Sequence, residues 1–162
     1  MSAPMLLSPE SLIKIDKAIA KYPADQKQSA VMAALTIAQD EKGWLSHETI
    51  DCVAAYLGMP PIAVYEVASF YTMYDLKPVG RCKLSICTNL PCALLGANVA
   101  AQHLKTKLGI GFGETTADGA FTLKESECMG ACGDAPVLIW NNKHMLCAMT
   151  ADKLDKLIEE LK

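Results

Sequence analysis

Arginine is almost missing from this sequence: Arg81 is the only one. Histidine is scarce at three residues, and aromatics make up 6%. Fifteen basic residues face eighteen acidic ones, a formal net charge of −3. Proteins that bind nucleic acid neutralise phosphates with clustered lysine and arginine, and this chain has no such excess. No apolar run reaches the roughly 20 residues that cross a bilayer, so direct membrane insertion is not expected. The opening "MSAPMLLSPESL" has neither the basic region nor the long apolar segment of a leader. That points to a cytoplasmic protein. No Cys-x-x-Cys occurs, which argues against dithiol exchange of the thioredoxin kind. "GIGFGE" lacks both the preceding strand and the spacing of a dinucleotide loop. Gly109, Gly111 and Gly113 read as a tight connection, and no nucleotide site is expected in this chain.

What the chain does have is length, apolar residues and thiols. Its 162 residues, 51% hydrophobic, suit one compact domain or a domain with a substantial appendage. Seven cysteines are many for a reducing compartment, and an odd count fits a disulfide framework poorly. Metal or redox chemistry is the better starting point.

The first half reads as four helices. Ser8 and Pro9 open the first, with Leu12, Ile15, Ile19 and Tyr22 in line before Pro23. The second, "SAVMAALTIAQDEKG", puts Val31, Leu35 and Ala38 on one face and ends at Gly43. The third runs from Ser46 to Gly58, with Glu48 in its first turn. The fourth starts at Pro60 or Pro61, with Ile62, Tyr65, Ser69 and Met73 roughly in line. Past a boundary near Pro78 the texture changes. "RCKLSIC" alternates as a strand ending at Cys87. A helix from Ala93 follows, with Leu94, Ala97, Ala101, Leu104 and Leu108 as its buried stripe. "AFTLKES", "APVLIW" and "HMLCAM" read as strands, with "NNK" as a turn between the last two. "TADKLDKLIEEL" is a terminal helix. The order is four helices and then β-α-β-β-β-α, a small α/β unit.

Four cysteines lie in two short stretches, "CTNLPC" (Cys87 to Cys92) and "CMGAC" (Cys128 to Cys132). Both are loops at element ends, and Gly130 lets backbone come close to a bulky group. Helix N–H groups beside such loops favour an anion. Four thiolates on a [2Fe–2S] core carry a formal charge of about −2 oxidised and about −3 reduced. Zinc with four thiolates carries about −2. The pair spacings match neither common zinc pairs throughout nor the plant-type ferredoxin pattern. On spacing, [2Fe–2S], zinc and unliganded thiols all stay open. A Rieske centre would need two histidines, and His47, His103 and His144 are isolated. Cys52, Cys82 and Cys147 read as small packing residues. Phe70, Tyr71, Met73 and Tyr74 suit either helix packing or a partner surface.

"GWLSHETIDCVAAYLGMPPIAVYEVASFYTMY", "CTNLPC", "GETTADGAFTL" and "ECMGACGDAPVLIWNN" together resemble the 24 kDa-type subunits of respiratory complex I, the E-type subunits of bacterial NADH-quinone oxidoreductase. The resemblance runs from about Pro23 to the terminal helix. It implies an α+β chain: an N-terminal helical bundle over residues 1–78, then a thioredoxin-like [2Fe–2S] ferredoxin domain over 79–162. It implies one [2Fe–2S] cluster on Cys87, Cys92, Cys128 and Cys132, and no catalytic residue of acid–base type. FMN and NADH would belong to a flavin-containing partner subunit, through which the chain joins the rest of the complex on the cytoplasmic side of the inner membrane. The equivalent diaphorase subunit of an NAD-linked hydrogenase or formate dehydrogenase is the near alternative. A zinc-stabilised interaction module is the alternative of another class. One departure is "TNLP" where relatives commonly carry a small glycine-containing loop. Pro91 has no N–H to offer a sulfide, which implies an effect on potential more than on ligation.

Overall fold

The computed structural model describes residues 6–162. The reading of the opening stretch as no leader rests partly on residues 1–5, which lie outside the described residues. The chain divides into two compact units between Pro78 and Val79.

In the first unit, α1 (Pro9–Ile19), α2 (Val31–Lys42), α3 (His47–Leu57) and α4 (Pro61–Phe70) pack around one core, with a 3-10 turn at Lys27–Ala30 leading into α2. The Ser8 hydroxyl caps α1 by accepting from the Ser11 N–H at 3.2 Å. Ser46 caps α3 the same way, from the Thr49 N–H at 3.2 Å. Each cap satisfies an amide that the helix leaves without an internal partner. Ile15, Leu35, Ile50, Val53 and Val64 are buried together. Gln39 crosses this core. Its amide donates to the Met73 carbonyl at 3.0 Å and its oxygen accepts from the Asp75 N–H at 2.7 Å. A buried amide satisfied at both ends avoids the cost of an unpaired polar group, and it fixes the chain that follows α4.

Two helices depart from expectation. α1 stops at Ile19, so Tyr22 lies beyond it and is exposed. α4 buries Val64 and Ala68, while Ile62 on the expected stripe is 67% exposed. That helix is apolar on nearly every side, so spacing alone selects no face. Packing makes the choice. The aromatic run also divides: Tyr74 is buried and its hydroxyl donates to the Met32 carbonyl at 2.8 Å, whereas Phe70 is exposed.

The second unit is a four-stranded mixed sheet with helices. It contains β1 (Cys82–Cys87), α5 (Leu90–Leu94), α6 (Ala97–Leu108), β2 (Phe121–Ser126), β3 (Leu138–Trp140), β4 (His144–Leu146) and α7 (Ala151–Leu161). Strand order is β2-β1-β3-β4. β1 and β2 are parallel, joined through the helical connection such pairs require. β1–β3 and β3–β4 are antiparallel. The "NNK" turn closes the β3–β4 hairpin, with Asn141 and Asn142 at positive φ. Cys82, Leu84 and Ile86 share a core with Ala101 and Leu104 of α6 and Leu154 and Ile158 of α7. The alternation in "CKLSIC" suggests one wet face, yet all six residues are buried. β1 is central, flanked on both sides, and Lys83 and Ser85 are covered too. His103 on α6 meets Asp155 on α7 at 2.9 Å, a helix-to-helix tie. His47 stacks on Tyr65, and the His144 ring lies tilted against Trp140.

Glu41 on α2 holds the start of α1. It accepts from the Ser8 N–H at 3.0 Å and the Ser8 hydroxyl at 2.9 Å. The Ser11 hydroxyl, then Lys42, then Ser8 hold its carboxyl down at about 2 from an ordinary 4.5. A depressed folded-state pKa contributes stability above the unfolded value and loses it as pH falls through the folded one. Glu41→Gln should therefore lower stability at pH 7 modestly, by less than about 1 kcal/mol because the carboxylate sits at the surface. Melting curves of both proteins should converge between pH 4.5 and about 2; a gap that persists unchanged to pH 2 would contradict the assignment.

Candidate metal centre

Two parallel neighbouring strands end at the same edge of a sheet, and here a cysteine loop leaves each of them. The register sets Cys87 opposite Ser126, so the chain after Cys87 and the chain toward Cys128 depart side by side. Cross-bonds then tie them. The Thr88 N–H donates to the Ser126 carbonyl at 3.3 Å. The Thr88 hydroxyl donates to Glu125 Oε1 at 2.7 Å, and Asn89 Nδ2 donates to Glu127 Oε2 at 2.9 Å. The Cys87 N–H donates to the Val137 carbonyl at 3.1 Å, bringing a third segment to the site.

The four thiols come as two pairs. Cys128 Sγ and Cys132 Sγ are 3.7 Å apart. Two sulfurs bound tetrahedrally at about 2.3 Å from one metal would be about 3.8 Å apart, so this pair already has the span of a chelate. Cys87 and Cys92 lie together in one buried cluster, and Cys132 acts electrostatically on both. Cys87 and Cys92 are buried with Ala97 and Val137, against Met129, Ala131 and Ala135. Cys132 is half-buried and Cys128 exposed. Among the described residues no three or more His, Cys, Asp or Glu gather closely enough to share one ion.

Burial, then the hydrogen bond with Cys87, pushes the Cys92 thiol up to about 11. The hydrogen bond with Cys128, then charge repulsion from it, raises Cys132. Such thiols stay protonated at neutral pH until a cation takes the place of their protons. A backbone donor points the same way: the Gly130 N–H lies 3.4 Å from Cys128 Sγ. An anionic metal–sulfur core of two irons, each needing two thiolates, suits this arrangement of paired thiols, apolar walls and an amide donor.

The helix expected from Ala93 is two helices. α5 starts at Leu90 and contains Cys92; the chain breaks at Leu95–Gly96, where Gly96 has φ 93°; α6 starts at Ala97. Leu94 is thereby turned out of the expected buried stripe and is 78% exposed. The N-terminal N–H groups near the first loop are those of α5. Cys52 and Cys82 sit in the two cores as expected, whereas Cys147 is half-buried outside them. Sequence reasoning missed Thr88, Asn89, Glu125 and Glu127. Only the parallel register brings these four together, and register is not written in either loop.

A family profile described as thioredoxin-like [2Fe–2S] ferredoxin matches residues 15–162. An E-type subunit of NADH-quinone oxidoreductase from Rhizobium meliloti is 44% identical over 150 residues, covering 92% of this chain and 87% of that protein. The mitochondrial NADH dehydrogenase [ubiquinone] flavoprotein 2 of Dictyostelium discoideum is 40% identical over 158 residues; the match takes in 95% of this chain and 64% of that protein. Among solved structures, an NAD+-reducing [NiFe]-hydrogenase matches with a TM-score of 0.68 at 22% identity, over 78% of this chain and 22% of the hydrogenase chain. That likeness concerns the fold. The fold and paired thiols define a thioredoxin-like ferredoxin of α+β class with a mixed sheet. The chain belongs to the thioredoxin-like [2Fe–2S] ferredoxin family and, within it, to the group of E-type subunits of NADH-quinone oxidoreductases.

Gly130 stands between Cys128 and Cys132 with φ 76°, a region that costs an L-residue about 1–2 kcal/mol. A side chain there would meet nothing within 4 Å, so the cost is conformational. Gly130→Ala should lower thermal stability by about 1 kcal/mol, with Gly130→Asn in between, since asparagine tolerates this region better. Equal stability of all three would contradict the assigned backbone.

Proposed function

We propose that this chain is the electron-transfer subunit of the NADH-oxidising module of an NADH-quinone oxidoreductase, with Cys87, Cys92, Cys128 and Cys132 as the ligands of one [2Fe–2S] cluster. The observation that carries the ligand assignment is the pairing: two cysteine loops laced at one edge of a parallel strand pair, with one sulfur pair 3.7 Å apart. When bound, the cluster supplies reversible uptake of a single electron. The chain's own residues do the rest. Cys87 and Cys92 hold their side from within an apolar pocket that keeps water away. Cys128 and Cys132 hold the other side near the surface, where an electron can enter. Gly130 turns its amide N–H toward the Cys128 sulfur, and the Val137 carbonyl holds the Cys87 backbone. No side chain is needed for proton transfer.

Residues 1–78, read as the N-terminal helical bundle of this family, serve as a docking element, and residues 79–162 as the cluster domain. FMN and NADH bind in a flavin-containing partner subunit, and this chain joins the larger complex through it. No helix among the described residues is long and apolar enough to cross a membrane. That supports a peripheral position, which we place on the cytoplasmic face of the inner membrane. The hydrogenase likeness favours a second reading, the diaphorase subunit of an NAD-linked hydrogenase, but the 44% identity to an E-type subunit supports the first.

A reduction assay tests the role. Dithionite should bleach the visible absorption of the purified chain. NADH alone should leave it unchanged, and NADH with the flavin-containing subunit should bleach it. Reduction by NADH without that partner would contradict the division of labour, as would no reduction with it.

A further inference from the structure

We propose that Glu125 and Glu127 are positioning residues that clasp the two cysteine loops together and hold the cluster's midpoint potential down. The inference rests on the reading that Cys87, Cys92, Cys128 and Cys132 ligate the cluster. Glu125 accepts from the Thr88 hydroxyl at 2.7 Å and Glu127 from the Asn89 amide at 2.9 Å. The first bond ties the loop after β1 to the end of strand β2 and the second ties it to the chain leaving β2 toward Cys128, so together they join one cysteine loop to the other. The bonds differ in what they fix. Thr88 follows Cys87 directly, so Glu125 anchors the root of the first loop. The Asn89 oxygen is buried without a hydrogen-bond partner, so its bond to Glu127 is what orients that amide.

Both donors are neutral, so neither bond cancels the charge on its carboxylate. Glu127 immediately precedes Cys128, and Glu125 pairs across the strands with Ile86, the residue before Cys87. Reduction takes the cluster with its thiolates from about −2 to about −3. Two carboxylates this near in the chain to two ligands oppose that added charge. Both glutamates are exposed, so their effect is screened by salt. Glutamine retains an oxygen that accepts from Thr88 or Asn89 and loses only the charge, which separates the electrostatic role from the mechanical one.

The test is an EPR-monitored redox titration of the cluster-loaded chain and its E125Q/E127Q variant, with iron and sulfide assayed on each sample. The double variant should keep the iron and sulfide content of the parent. Its reduction equilibrium should shift about tenfold toward the reduced form, about 59 mV for a one-electron couple, and the shift should shrink as ionic strength rises. An unchanged potential with full cluster content would overturn the proposal. If the double variant loses iron, E125Q alone decides: a positive shift supports the proposal and an unchanged potential overturns it. A parent protein with no binuclear signal would instead defeat the ligand assignment.

Discussion

The parallel pairing of β1 with β2 is the constraint from which the site follows. Two adjacent parallel strands finish at the same edge, and their register sets Cys87 opposite Ser126. Neither loop could place four thiols by itself. The pairing needs a helical crossover, which α5 and α6 provide, and a buried sheet, which α6 and α7 cover. The antiparallel side of β1 contributes differently. The chain entering β3 brings Val137 alongside Cys87, so one apolar wall of the site and the carbonyl that accepts from the Cys87 N–H come from a segment running in the opposite sense.

Electrostatics then explain why a chain with one arginine can serve an anionic group. At the site a backbone N–H, that of Gly130 beside Cys128, faces a sulfur where a basic side chain could have stood. Burial raises the Cys92 thiol, so the protonated form is the low-energy state without metal, and a metal–sulfur core is the natural replacement for the protons. The exposure gradient, from buried Cys92 to exposed Cys128, gives the site a dry side and a side that faces solvent.

Much of this is legible in the sequence. Ser8, Ser46, Gly43 and Gly58 mark helix ends correctly because capping is a local matter of backbone geometry. The strand ending at Cys87 is readable from alternation. What the sequence hides is non-local. The exposed face of α4 cannot be chosen from spacing, because Ile62 and Val64 are both apolar and only packing distinguishes them. The break at Gly96 sits inside a run of good helix formers. The thiols announce a metal, but spacing does not decide two irons against one zinc, and the family resemblance carries that choice. The contacts of Thr88 and Asn89 with Glu125 and Glu127 depend on register between segments far apart in the chain, so no local pattern encodes them.

The most direct measurement is low-temperature EPR on anaerobically purified protein before and after dithionite, with iron, sulfide and zinc assayed on the same sample. The account predicts a rhombic signal that appears only on reduction, with about two irons and two sulfides per chain. A sample silent in both states and carrying about one zinc would contradict it.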